Sequence, residues 1–286
     1  SQIWKAHMLL TDSTNIITRG NTQLLRIENA FASAEVSLFG GHVLSFKPKH
    51  DDRERLWVSQ NALFNGKKAI RGGIPICWPW FGDHGGDTDV AAHGYVRTQT
   101  WGILNAEDTD TGTTITLKPQ TSAGKGFDVD AELTLVLQIG QQLNIQLCTT
   151  NLGDTFFTYN CALHSYFAIS DIKQCELLGL SGQYSDKTHG NQMFATPQPY
   201  GFTEETDRVH LQQPRNLSII DEQIKTDILS SGHDSIVVWN PWQDKSNSMG
   251  DMADDSYLTM LCVETAITQG QSVAPGETHI LEQTIG

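Results

Sequence analysis

Two arginines, Arg71 and Arg97, bracket a stretch in which Gly72, Gly73, Gly82, Gly85, Gly86 and Gly94 permit tight turns, while Pro75 and Pro79 stiffen the path between them. Guanidinium groups held on such a loop suit a phosphate or a carboxylate, because the planar donor fork matches two acceptor oxygens at once. Trp78, Trp80, Phe81 and Tyr95 in the same stretch supply flat apolar faces of the kind that pack against the C–H side of a sugar ring. The alternative is a crossover loop packed by its own tryptophans and prolines, with the arginines solvated or paired to carboxylates. Residue types alone leave both open.

Two further side chains are placed to move protons. His164 lies in the run from Phe156 to Phe167, where alternation puts Asn160, Ala162, His164 and Tyr166 on one face and Cys161, Leu163 and Phe167 on the other. A histidine there either exchanges protons near neutral pH or is a hydrogen-bonded structural residue. Glu264 is the one carboxylate in the most apolar run, Tyr257 to Ile267, and shares a face with Leu258, Met260 and Cys262. Burial would raise its pKa toward neutrality and make it a usable base, nearby arginines would oppose that shift, and exposure at a strand end is the alternative.

Asp186, beside Lys187 in the glycine-bearing segment Leu178 to Lys187, either accepts from sugar hydroxyls or forms an ion pair in a surface turn. The acidic spacing from Asp83 to Asp89 fits neither a calcium loop nor a zinc pattern, so no metal is expected. No phosphate-cradling Gly-x-x-x-x-Gly-Lys motif, dinucleotide fingerprint or Gly-x-Ser-x-Gly elbow occurs, and no cofactor is expected.

The elements that must carry these residues read as strands. Period-two alternation recurs at Leu24–Ile27, Ala34–Leu38 and Val43–Phe46, with a turn at Gly40 and Gly41. Asp51 to Arg55 reads as a charged, exposed break. Further strands are expected at Thr113–Leu117, at Ala131–Gln138 paired in a hairpin with Leu143–Thr150, and at Phe156–Phe167, Cys175–Leu180, Arg208–Leu211, Leu217–Asp221, Ser235–Trp239, Leu258–Ala266 and Thr278–Thr284. The only helical segment expected is Gln243 to Asp254. Many short strands, each burying one face, predict an all-β antiparallel sandwich, and no linker divides residues 1–286, so one domain is expected.

Composition narrows the partners. With 33 acidic against 19 basic residues, the net charge of −14 opposes nucleic acid and anionic membrane alike. Any anionic ligand must then be held by local arginines. No apolar run approaches the roughly 18–20 residues that a bilayer span needs. The N-terminus lacks a basic-then-apolar leader, so a cytoplasmic location is the expectation. Five cysteines in mostly apolar contexts read as reduced thiols. Nothing in the composition sets an oligomeric state, and a monomer is expected.

The motifs Ile70–Gly82, His93-Gly-Tyr-Val-Arg97, Leu163–Phe167, Gly182–Lys187, Asn240-Pro-Trp242 and Cys262–Ala266 resemble, in order, the glucose-6-phosphate 1-epimerase (hexose-6-phosphate mutarotase) branch of the aldose 1-epimerase superfamily. The resemblance implies a large galactose-mutarotase-like β-sandwich, or supersandwich, with an open cleft on one sheet, and interconversion of the α and β anomers of a hexose 6-phosphate without metal or cofactor. It matches Glu264 to the general base and His164 to the general acid. It likens Arg71 and Arg97 to a phosphate-binding pair and His93 and Asp186 to sugar-contacting positions. The residues Cys77, Trp78, Pro79 and Trp80 depart from the smaller apolar residues usual there, which leaves the ring-facing wall of the pocket open.

Overall fold

The computed structural model describes residues 10–286, so the N-terminal segment read above for a leader lies outside the described residues. Antiparallel pairing organises three sheets. The first is a meander of β1 (Thr14–Arg19), β2 (Thr22–Glu28), β3 (Ala32–Ser37) and β4 (His42–Pro48). The second runs β14 (Gln192–Ala195), β13 (Gln183–Asp186), β15 (Thr206–His210), β18 (Ser235–Asn240), β19 (Met260–Val273), β10 (Phe157–Leu163) and β5 (Ile76–Cys77), with β11 (Tyr166–Ala168) also pairing β19. The third runs β12 (Cys175–Leu178), β16 (Asn216–Asp221), β17 (Ile224–Ser231), β20 (Thr278–Ile285), β9 (Leu143–Asn151), β8 (Ala131–Ile139), β7 (Gly112–Pro119) and β6 (Trp101–Thr109).

The alternation seen in the sequence becomes one shared core. Leu133, Leu135 and Leu137 of β8 and Leu143, Ile145 and Leu147 of β9 point inward, and they meet Leu163 of β10 and Leu261 and Val263 of β19 from the facing sheet. Each such side chain contributes about 1.5–3 kcal/mol by leaving water. Central β19 is buried on both faces from Met260 to Ala266, which explains its apolar composition. Leu261 and Val263 enter the intersheet core, while Met260, Cys262, Glu264 and Ala266 take the other face. Glu264 therefore sits in an almost dry environment.

Several expectations change in the structure. The run from Phe156 to Phe167 breaks into β10 and β11 at His164 and Ser165: the His164 amide still donates in register to the Pro75 carbonyl at 3.0 Å, but a proline has no N–H to return the bond, and the ladder with β5 ends there. Leu258 belongs to a 3-10 turn, Ser256–Thr259, and not to the strand that follows. The helix is shorter than expected: α1 covers Trp242–Ser248.

Arg55 is not exposed but 2% accessible, and it donates to both Asp51 carboxylate oxygens, to the Arg53 carbonyl and to the Gly286 carbonyl. A charge run cannot reveal which member is desolvated and paired. Strands β1, β5, β6, β13, β14 and β17 are not among those expected from the sequence. Of these, β1, β5, β6 and β14 lie at sheet edges, β5 is only two residues long, and β6 and β14 leave most of their residues exposed or half-buried, so little apolar alternation marks them.

The loop before β5 owes its path to Gly73, whose φ is +60° and whose missing Cβ would meet the Val43 carbonyl oxygen at 2.1 Å. Left-handed backbone costs a side-chain-bearing residue about 1–2 kcal/mol, and the forced displacement of Val43 adds to it. Gly73→Ala should lower unfolding free energy by at least about 2 kcal/mol in urea titrations. An unchanged midpoint would mean that the loop has another way past β4.

Candidate active site

Strand register brings the two candidate proton-transfer residues together. Pairing runs Ala162↔Ala266 and Leu163↔Thr265, then resumes beyond the break at Tyr166↔Cys262, so His164 falls opposite Glu264. Their side chains meet on the face turned away from the intersheet core, with His164 Nε2 at 3.6 Å from Glu264 Oε1. That carboxylate oxygen is buried and, among the described residues, hydrogen-bonds to nothing. Cys262 Sγ approaches His164 Nδ1 at 3.8 Å. These three side chains also form the one trio of metal-competent groups among the described residues, with ligand atoms within 4.8 Å of one another.

Burial acts oppositely on the two groups because it disfavours whichever form is charged. It holds the Glu264 carboxyl well above its ordinary value, assisted by the nearby Asp207 and opposed by Lys187. It holds the His164 imidazole well below its ordinary value, helped by His93, Arg97 and Arg71. Desolvation thus favours the arrangement in which both groups are uncharged.

Around this pair the cleft face is assembled from neighbouring strands. Glu264 pairs with Val237, Val237 with Val209, and Val209 with Ser185, which leads the face outward to Lys187. Asp207 lies opposite Trp239, and Trp239 opposite Cys262, so both flank His164 and Glu264. Half-buried Asp207 has its carboxyl pushed up by burial, while Lys187 and Lys245 pull it back. Phe81 packs over Cys77, Ala162, Val209, Val237 and Ala266 and receives Lys187 Nζ at 4.7 Å from its ring centre.

Asp186 does not join the pair. It stands opposite Arg208 in the register, on the other face of β13, and its carboxylate caps the turn Lys187–His189 through Thr188 N at 2.8 Å, Thr188 Oγ1 at 2.6 Å and His189 Nδ1 at 3.1 Å. A one-residue step along a strand reverses the face, and the pattern Ser-Asp-Lys in a short, mostly polar strand does not say which residue looks where. The acidic residue that the cleft does hold, Asp207, lay one position before the strand read at Arg208–Leu211. Trp78 and Trp80 also leave the cleft. Trp78 is wholly buried and donates to Thr149 Oγ1 at 3.1 Å, and Trp80 packs edge-on against Tyr95 and His84.

His93 is held in the left-handed region at φ +66°, with Gly82 N donating to its Nδ1 at 2.9 Å. That bond puts the ring proton on Nε2. Burial first, then Arg97, Lys187 and Arg71, push its pKa down to about 3, so His93 is a fixed neutral donor. Its ring lies edge-on to His164 at 5.8 Å.

Both arginines of the glycine-rich loop line one cavity of about 280 Å³, together with Lys67, Lys68, Thr98 and Tyr166. Asp251, buried on the turn after α1, accepts from Arg71 Nε at 3.2 Å through each oxygen, and Tyr166 Oη accepts from Arg71 Nη1 at 3.0 Å. Burial works against the Arg71 charge, but Tyr166 and Asp251 outweigh it and leave the group a firm cation. Arg97, on the 3-10 turn Val96–Thr98, has no carboxylate within 4.0 Å among the described residues. A larger cavity, about 700 Å³, lies on the third sheet among Thr111, Gln138, Gln142, Asn144, Gln146 and Glu282, and none of its lining residues is a lysine, arginine or histidine.

A family model described as aldose 1-epimerase matches residues 23–286. The chain belongs to the aldose 1-epimerase family. It is 34% identical over 269 residues to a protein of Escherichia coli K12 provisionally named a glucose-6-phosphate 1-epimerase, covering 92% of this chain and 89% of that one. A plant protein from Cenchrus ciliaris with the same provisional name is 35% identical over 260 residues, with 85% and 78% covered. The crystal structure of a provisionally named mutarotase from Salmonella typhimurium superposes with a TM-score of 0.89 at 31% identity, covering 100% of this chain and 98% of that one. As a member of the aldose 1-epimerase family, the protein is an isomerase that interconverts the anomers of a sugar. Among the described residues no helix is long and apolar enough to cross a membrane.

Membership in an enzyme family gives the buried carboxyl a reason to persist at a stability penalty. In the unfolded chain Glu264 ionises from about 4.5, whereas the folded chain resists its ionisation, so its contribution to stability is full below that pH and is lost as pH rises. Glu264→Gln cannot ionise. Its urea midpoint should exceed that of the parent by a margin that widens from about pH 5 to about pH 8. A constant or shrinking margin would mean that the folded protein welcomes the carboxylate.

Proposed function

We propose that the substrate is a hexose 6-phosphate, glucose 6-phosphate foremost, and that Glu264 and His164 open and reclose its ring as general base and general acid. The observation that carries this reading is the adjacency of the cation-lined cavity to the acid: Tyr166 lines the cavity and stacks on His164 at 5.1 Å with an interplanar angle of 23°. In a hexose 6-phosphate the phosphoryl group hangs from C6, whose neighbour C5 bears the ring oxygen. An acid that protonates the ring oxygen must therefore stand close to the phosphate site. Free sugars need no anion site, and a chain of charge −14 gathers Lys67, Lys68, Arg71 and Arg97 at one cavity against its overall field.

In the reactive state Glu264 is ionised and His164 protonated. Glu264 takes the proton from the anomeric hydroxyl while His164 gives its proton to the ring oxygen, and the ring C–O bond breaks to give the aldehyde. Rotation about C1–C2 presents the other carbonyl face, and closure with reversed transfers returns both groups to their starting states. Asp207 accepts from sugar hydroxyls in the role first assigned to Asp186, and the Nε2–H of His93 donates. Phe81 and Trp239 offer apolar surface to the ring.

Each proton-transfer group contributes about 10²–10⁴-fold. Glu264→Gln and His164→Asn should lower α/β exchange of glucose 6-phosphate by that range in saturation-transfer NMR. A folded variant with near-parental exchange removes that residue from its role.

The anion assignment has its own signature. Arg71→Ala or Arg97→Ala should raise KM for glucose 6-phosphate by about 10–150-fold, the equivalent of about 1.5–3 kcal/mol for a charge-assisted hydrogen bond, with a much smaller change for glucose. Equal losses on both sugars would exclude the cavity as the phosphate site.

A further inference from the structure

We propose that the cavity between Arg71 and Arg97 is an activating site for a dianion, so that inorganic sulfate or phosphite bound there in trans switches on anomer exchange of an unphosphorylated hexose. The inference rests on the reading of that cavity as the phosphate site, and adds that the anion works on the chemistry as well as on binding.

The geometry forms a short relay. Arg71 is clamped by Asp251 through Nε and joined through Nη1 to Tyr166 Oη, and the Tyr166 ring lies stacked against His164. Arg97 lines the same cavity. His164 is thus flanked by two cationic groups on the cavity side and by Glu264, at 3.6 Å, on the cleft side. The other titratable groups facing it are Cys262 on β19, Tyr166 on β11 and neutral His93 on the loop; Asp207 and Lys187 act on Glu264 from beyond β18.

One proton divides between the members of this pair, and the division decides whether the ring can open. With Glu264 protonated and His164 neutral, the base is occupied and the acid is empty. With Glu264 ionised and His164 protonated, both are ready. The cations of the cavity oppose a charge on His164, and burial opposes both charges, so the empty site favours the unready arrangement. A dianion beside Arg71 and Arg97 offsets their field in a low-dielectric surrounding, where charge interactions are least screened. It thereby draws the proton from Glu264 to His164. The substrate's own phosphate does this on arrival, which ties ring opening to the presence of the correct substrate and leaves free sugars slow.

Free anions test this without the covalent link. Exchange of glucose is followed by saturation-transfer NMR in rising sulfate or phosphite, with the enzyme-free rate subtracted at each concentration. The His164 imidazole is titrated in parallel by NMR of histidine-labelled enzyme, and anion binding is measured by calorimetry. The expected result is saturable activation of at least about tenfold in kcat/KM for glucose, an upward shift of the His164 pKa, and loss of both effects in Arg97→Ala. Anion binding to the parent but not to Arg97→Ala, with the glucose rate and the His164 titration unmoved, would overturn the inference while leaving the cavity as the phosphate site. Failure of the anions to bind, with Arg71→Ala and Arg97→Ala indifferent for glucose 6-phosphate, would overturn both.

Discussion

A buried carboxyl and a largely buried imidazole set side by side, Glu264 Oε1 at 3.6 Å from His164 Nε2, are the constraint on which the rest of the molecule depends. Moving either charge into the interior is expensive, and only a surrounding of fixed dipoles and counter-charges makes the ionised forms reachable. The sheet that carries them solves the placement problem by register. His164 departs from strand geometry just where its amide reaches Pro75, while Tyr166 and Leu163 on either side keep the pairing with β19 that holds it opposite Glu264. The dense packing of Leu163, Phe167, Leu261 and Val263 on the reverse face fixes that register, because a slip of one residue would send Glu264 into the core.

The glycine-rich loop is organised around the same pair. Gly72 and Gly73 let its backbone pass against Trp57 and Val43, where a Cβ would collide, and the His42 ring holds the Gly72 carbonyl at 2.6 Å. Arg71 emerges from this anchored turn into the grip of Asp251 and Tyr166. That orders the long side chain in advance, with Nε and Nη1 already bonded. Tyr166 is shared between two tasks, since its hydroxyl serves the arginine and its ring walls the histidine, with Trp57 stacked on its far side at 5.7 Å.

The cleft face keeps two kinds of acid apart. Glu264 lies in the dry centre of the sheet, and Asp207 sits nearer the rim between Lys187 and Lys245. Environment, not residue type, separates the two carboxyls, one wholly desolvated and one half-buried beside two lysines. Asp186 illustrates the converse, being carboxylate enough for either role but spent on a turn.

Alternation in Ala131–Gln138 and Leu143–Thr150 and the apolar run ending at Ala266 made the antiparallel sandwich legible in the sequence, because burial of one face per strand is a local, periodic property. The residue types and motif order at Arg71, Arg97, His164 and Glu264 likewise marked the residues that now converge. The edge strands β1, β6 and β14 were not legible, since most of their residues are exposed or half-buried and leave little apolar alternation. Nor was the burial of Arg55, the loss of Trp78 to the core, or the turning of Asp186 away from the face that carries Asp207, because each depends on which face of a strand is turned to which layer. The sequence by itself determined strand periodicity and the chemical alphabet of the site. Only the tertiary structure decided that His164 and Glu264 stand side by side, because that follows from pairing between distant strands, which no local pattern encodes.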